Sequence, residues 1–112
     1  TMYVKALEYF DNFRKKFPDY PVNVQTYTIL LGACQQGRLW KRSLELLQEM
    51  TQQGFAVTTA HCNMVLRACL GASEGPKVLE VFGRMVADGV KPDVSSYNMA
   101  IAACDVDWEW AR

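Results

Sequence analysis

Asparagine recurs at positions 63 and 98, directly after Cys62 and Tyr97, and Thr28 holds the matching place after Tyr27. Asn is a poor residue for a helix interior because its side chain competes for backbone hydrogen bonds, so its return at one position asks for a reason. A carboxamide donates and accepts at once. It either bonds a neighbouring helix and locks a stack, or it reads the donors and acceptors of a ligand. Asp93 stands in a loop, where a short carboxylate caps the helix opening at 94. Thr28 and Thr58, on the residues alone, read as structural hydroxyls.

Other chemistry finds little support. His61 is the single histidine, with no dyad or ligand set beside it, and reads as a surface or inter-helix residue. There is no Ser–His–Asp or Cys–His–Asn set, no glycine-rich phosphate loop and no metal-ligand cluster, so neither an enzyme nor a metal or cofactor site is expected. Cys34, Cys62, Cys69 and Cys104 form no C-x-x-C pair. Cys34, Cys69 and Cys104 are spaced 35 residues apart, which suits small core residues in a reducing compartment. Twelve basic and twelve acidic side chains cancel, so net charge points to neither nucleic acid nor an anionic membrane. No apolar run approaches the roughly 18 residues that span a bilayer, and no signal peptide is visible.

The elements that must position these residues share the same period. "VQTYTILLGAC" (24–34) aligns with "TAHCNMVLRAC" (59–69) and "VSSYNMAIAAC" (94–104), and "KRSLELLQEMTQQG" (41–54) aligns with "PKVLEVFGRMVADG" (76–89). Each unit reads as two helices. The first helices place Tyr27, Leu30, Leu31, Cys34, then Cys62, Val65, Leu66, Cys69, then Tyr97, Ala100, Ile101, Cys104 on one face. The second helices bury Trp40, Leu44 and Leu47, then Leu79, Phe82 and Met85, with Met50 also in the core stripe. Pro76 opens one of them; Gly54 and Gly89 end both in left-handed caps. The "RKK" run (14–16) reads as a solvated helix end. The expected fold is all-α: a right-handed solenoid of stacked antiparallel helical hairpins. Residues 1–23 are the second half of a leading unit, 24–58 and 59–93 are complete units, and 94–112 is the first half of another. With both ends in mid-unit, the chain is expected to belong to a longer array or to have its ends covered by a partner.

The 35-residue helical pairs, "TYTIL" and "SYNMA" in the first helices, the closing "LELLQEM", and the linker "GVKPDVSSYN" (89–98) together resemble the pentatricopeptide repeat family. The resemblance covers 24–104 well and 5–23 more loosely. It implies an organellar protein, of mitochondrion or plastid, that binds single-stranded RNA one base per unit. Base choice would then rest on the residue after the helix-opening aromatic and on the last residue of the unit. Carried over, these are Thr28 with Thr58, Asn63 with Asp93, and Asn98 without a partner in this chain. Asn with Asp resembles the uridine-preferring combination; Thr with Thr corresponds to no assigned base.

Several positions depart from that pattern. Gln25, Ala60 and Ser95 stand where the family usually has an aliphatic residue that clamps a base. Segments 24–36 and 94–104 carry no charge and 59–70 only Arg67, whereas phosphate binding wants lysine and arginine along the backbone track. An uncharged face also suits a protein groove. The alternative expectation is a scaffold or accessory subunit of an organellar complex, with Tyr3, Gln25, Trp108 and Trp110 as its interface.

Overall fold

The computed structural model describes residues 2–19 and 22–107, and the side chains of 3–19 and 22–104 within them. Trp108 and Trp110 lie outside the described residues. Among the described residues there are helices and loops only: α1 (Met2–Lys16), α2 (Val24–Gly37), α3 (Trp40–Gln52), α4 (Thr59–Gly71), α5 (Gly75–Ala87) and α6 (Val94–Asp107).

The period reaches the backbone. Helices α2, α4 and α6 each open one residue after a polar cap: Asn23, Thr58 and Asp93. At the hairpin turns Arg38 and Ser73 adopt left-handed φ of 57° and 61°. Leu39 N–H and Glu74 N–H then return to the carbonyls of Cys34 and Cys69, both at 2.9 Å. At the exits Gly54 and Gly89 take φ of 83° and 84°, and Phe55 and Val90 donate to Met50 and Met85, again at 2.9 Å. Glycine fits these exits because a Cβ penalises left-handed backbone. Pro76 lies in the first turn of α5, where no intrahelical donor is lost.

Two layers result. Helices α2, α4 and α6 pack side by side in a row, while α3 rests on α2 and α4, and α5 on α4 and α6. The core runs between the layers. Tyr27, Leu30, Leu31 and Cys34 are buried together with Cys62, Val65, Leu66 and Cys69. The third first helix differs from expectation: Ala100 is buried, but Tyr97 is 53% and Ile101 65% exposed, and Cys104 is exposed. Tyr27 is enclosed because Phe10 and Phe55 flank its ring, whereas Tyr97 meets Phe82 on one side.

The second helices also turn a slightly different face inward. Ser43, Leu46 and Met50, then Val78, Val81 and Met85, are buried. Trp40, Leu44 and Leu47, with Leu79 and Phe82, are half-buried at the edge of the core. Ser43 tolerates burial because its hydroxyl donates to the Trp40 carbonyl at 2.7 Å.

Charge is confined largely to the outer layer, and much of it is paired. Arg14 meets Glu49 at 2.7 Å and lies over the Phe10 ring, so it ties α1 to α3 instead of ending a helix in solvent. Arg42 bridges Asp11 of α1 and Glu45 of its own helix. The Tyr27 hydroxyl donates to Glu49 at 3.3 Å from the inner row. Burial first, and then the Glu49 charge, push that phenol above its ordinary pKa.

Candidate nucleic-acid interface

The residues singled out above sit where neighbouring helices of the inner row meet. Thr28 is at the start of α2, Asn63 at the start of α4 and Asn98 at the start of α6, each in the second turn. The loop residues Thr58 and Asp93 cap the next helix in the row. The structure therefore brings Thr28 close to Thr58, and Asn63 to Asp93, although each pair is 30 residues apart.

In the second pair the contact is direct. Asn63 Nδ2 donates to Asp93 Oδ1 at 3.1 Å and Oδ2 at 3.3 Å. Asp93 Oδ1 also accepts the Ser96 N–H at 2.9 Å, which caps α6. Ser96 Oγ accepts the Asp93 N–H at 3.2 Å, completing a reciprocal capping box. The Ser96 hydroxyl also bonds Asn63 Oδ1, reaching across to the preceding helix. The Ser96 amide, then the Asn63 amide, hold the Asp93 carboxyl below its ordinary pKa. Asn63 thus bonds a neighbouring helix, as one of its two expected uses required. It still keeps one N–H and one carbonyl lone pair unspent. The amide orientation follows from its partners: a carboxylate only accepts, so nitrogen faces Asp93 and oxygen faces Ser96.

In the first pair a histidine stands between the two threonines. His61 is 5% exposed. Its Nε2 lies 2.8 Å from Thr28 Oγ1, and its Nδ1 accepts the Thr58 N–H at 3.1 Å. The Thr58 hydroxyl is 2.9 Å from the same nitrogen, and His61 N–H returns to Thr58 Oγ1 at 3.4 Å. A ring nitrogen that accepts an amide proton carries none, so the imidazole is neutral with its hydrogen on Nε2, donating to Thr28. Burial agrees, lowering the pKa of His61. Thr28 in turn donates its hydroxyl proton to the Val24 carbonyl at 2.9 Å.

His61 and Ser96 are thus site residues that the sequence reading did not select. A signal existed. Thr26, His61 and Ser96 share one position of the period, and each lies three residues after a capping side chain. Thr26 shows the same arrangement at the leading edge, with its N–H and Oγ1 both 3.0 Å from Asn23 Oδ1. Asn98 is exposed, and no hydrogen bond joins its side chain to another of the described residues. Gln25 is exposed; Tyr3 is half-buried, with its Cβ against Gly37. Beyond the polar pairs the row exposes Ile29, Val94, Tyr97 and Ile101.

This periodic row of helices, with a polar pair at each junction, defines the class of protein. A family model described as a pentatricopeptide repeat domain matches residues 45–105, and a second, described as a PPR repeat, matches 25–55. The chain belongs to the pentatricopeptide repeat family. It is 35% identical over 89 residues to the maize chloroplastic pentatricopeptide repeat-containing protein 10, covering 78% of this chain and 11% of that protein. A mitochondrial relative from Arabidopsis thaliana is 28% identical over 110 residues, covering 98% of this chain and 22% of the relative. Among solved structures, PPR10 in complex with an 18-nt psaJ RNA element superposes with a TM-score of 0.62 at 32% identity, over 78% of this chain and 13% of that one. Nuclear proteinaceous RNase P 2 of A. thaliana superposes with a TM-score of 0.77 over 96% of this chain and 26% of that one. At 19% identity, this second likeness concerns the fold alone.

Proposed function

We propose that the chain is a single-stranded RNA-binding segment of an organellar helical-repeat protein, with Asn63–Asp93 and Thr28–Thr58 each facing one base. The observation that carries this reading is the Asn63–Asp93 pair. The carboxylate fixes the amide while leaving one donor and one acceptor unspent, and a pyrimidine edge such as that of uracil offers their complements. The RNA-bound relative of known structure supports it. The mitochondrial and chloroplastic relatives support an organelle. Asn98 holds the same place in a third site. No catalytic step belongs to this function: both nitrogens of the His61 ring are engaged within the fold, which removes the one imidazole as a general base.

The test is photocrosslinking of the purified chain to RNA containing 4-thiouridine, followed by mapping of the linked peptides. Crosslinks should fall on the segments that open α2, α4 and α6. Crosslinks confined to α3 and α5 would sink the proposal.

A protein-scaffold role is favoured by a different observation. The inner row exposes Ile29, Tyr97 and Ile101, and Arg67 is the one cation on its three helices. That surface resembles a protein contact more than a phosphate track. Tyr3 and Gln25 would flank it, with Trp108 and Trp110 beyond the described residues. Absence of crosslinks, together with co-purification of a defined organellar complex, would favour this second reading.

A further inference from the structure

We propose that the outer groove between α3 and α5 docks an amphipathic helix of a partner protein, whose apolar ridge is flanked by a basic, an acidic and a basic side chain at four-residue spacing. The groove belongs to the outer layer, so the inference does not depend on the RNA reading.

The groove exists because α3 and α5 both rest on α4 without packing on each other. It holds about 690 Å³, a size that encloses several side chains of a ligand. Its floor is apolar: Leu44, Leu47, Phe55, Val81, Met85 and Val90. Leu44, Leu47, Phe55 and Val90 are only half-buried, which leaves apolar surface for a further element to cover.

The neighbouring junction shows what closes such a gap. Between α1 and α3, Arg14 meets Glu49 and Arg42 meets Asp11, so ion pairs span the outer face. The next junction lacks them. The period puts Lys77 and Arg84 of α5 where α3 has Arg42 and Glu49. The wall of α3 that lines the groove, however, is Gln48, Thr51 and Gln52, with no charge. Lys77 turns instead to Glu80 of its own helix, at 3.2 Å. Among the described residues, no ion pair engages Arg84 or Asp88, and no hydrogen bond holds the side chain of Gln48 or Gln52.

Charge identifies the occupant. Glu80, Arg84 and Asp88 line the α5 wall at four-residue steps, about 6 Å apart along one side of the groove. All three are exposed and form a negative–positive–negative row. Its complement is positive–negative–positive at the same spacing, which reads alike in both directions. Two carboxylates around one guanidinium repel a phosphate chain. A helix supplies the complement and satisfies its own backbone, whereas a strand finds no backbone partners between two helices already bonded within themselves. The Gln48 and Gln52 amides then meet polar side chains on the other flank of the ridge.

The experiment is a methyl NMR titration of the full chain, labelled at methionine, with three synthetic helical peptides. They share one leucine ridge and differ in the flanking row: Lys–Glu–Lys, Glu–Lys–Glu or Lys–Lys–Lys. Met85 lines the groove floor, while Met99, buried in α6, does not. The Lys–Glu–Lys peptide should shift the Met85 methyl and leave Met99 in place. It should bind about tenfold tighter than Glu–Lys–Glu, with the difference shrinking at about 1 M salt. The Lys–Lys–Lys peptide should bind the wild type less tightly than Lys–Glu–Lys does. In Arg84→Glu, a change on the exposed rim, that order should reverse. No shift at Met85 with any peptide, or equal affinity for all three, overturns the proposal. A Met85 shift that grows with the concentration of the chain alone means that a second copy fills the groove, and overturns it too.

Discussion

Asn63 and Asp93, 30 residues apart in the chain, meet side by side at the junction of α4 and α6, with the amide nitrogen 3.1 and 3.3 Å from the two carboxylate oxygens. The same carboxylate caps α6 through the Ser96 N–H. One side chain therefore serves both the helix start and the candidate base site. Turning the Asp93 carboxylate away from Asn63 would therefore cost the cap of α6 as well.

Because the cap survives without the amide, Asn63→Ala should fold nearly as well as the wild type. It removes hydrogen bonds of roughly 0.5–1.5 kcal/mol each at a half-buried position, and the Ser96 hydroxyl keeps Asp93 Oδ1 at 3.0 Å as a partner. Urea unfolding should give a midpoint shifted slightly downward with an unchanged slope. A collapse of stability would mean the amide is foremost a structural pin.

Ser96→Ala is the opposite case. Its hydroxyl is fully buried and serves the Asp93 N–H, Asn63 and Asp93 together. Removing it should cost about 1–2 kcal/mol, because Asp93 N–H and Asn63 Oδ1 lose their shared partner, while their half-buried and exposed positions let water replace part of it. Unfolding midpoints measured beside those of Asn63→Ala should rank Ser96→Ala as the less stable.

The His61 environment ties stability to pH. Its pKa is lowered below 6.5 in the fold. Between the folded value and 6.5 the unfolded chain binds the proton and the native chain does not, so stability rises with pH across that window. Stability is full above 6.5, declines as pH falls toward the folded pKa, and levels off below it. Unfolding midpoints of the wild type should follow this course relative to His61→Gln, whose side chain does not titrate there.

Thiol labelling should count the core. Burial pushes Cys34, Cys62 and Cys69 up to about 11, whereas Cys104 is exposed. Thiolate is the reactive form, so at neutral pH Cys104 should be alkylated fast and the other three only on unfolding. Mass spectrometry of the native chain after brief iodoacetamide treatment should find one modified cysteine. Rapid labelling of Cys34 or Cys69 would contradict the packing.

Leu31 and Leu66 occupy one position of the period and are both fully buried. Each change to Ala should cost about 2–5 kcal/mol from lost burial and the cavity left behind. Thermal unfolding of the two variants should show comparable losses. A large loss for one alone would break the equivalence of the units.

Much of the fold was legible because apolar residues at helical spacing and glycines at fixed offsets carry their physics locally. Tyr27 to Cys34 and Cys62 to Cys69 needed nothing beyond their own periodicity. The inward face of α3 was less legible, since a buried Ser43 looks polar until its bond to the Trp40 carbonyl is seen. Tyr97 and Ile101 looked like core because their counterparts are, yet burial depends on neighbouring elements that a local pattern does not contain. In the candidate site, the pairing of Thr28 with Thr58 and of Asn63 with Asp93 came from family resemblance. His61, read as a surface or inter-helix residue, and Ser96 were not chosen as site residues because their cross-helix partners are 33 residues away in sequence. Polar residues at an N3 position announce a cap, and only packing reveals that the same atoms also reach the preceding helix.

The central claim, that the Asn63–Asp93 pair reads a base, is tested most directly by fluorescence anisotropy of the chain with labelled uridine-rich single-stranded RNA, compared with Asn63→Ala. Binding that favours uridine over other bases and drops with the substitution, while the fold remains intact, is the predicted result. Binding indifferent to both base and substitution would contradict it.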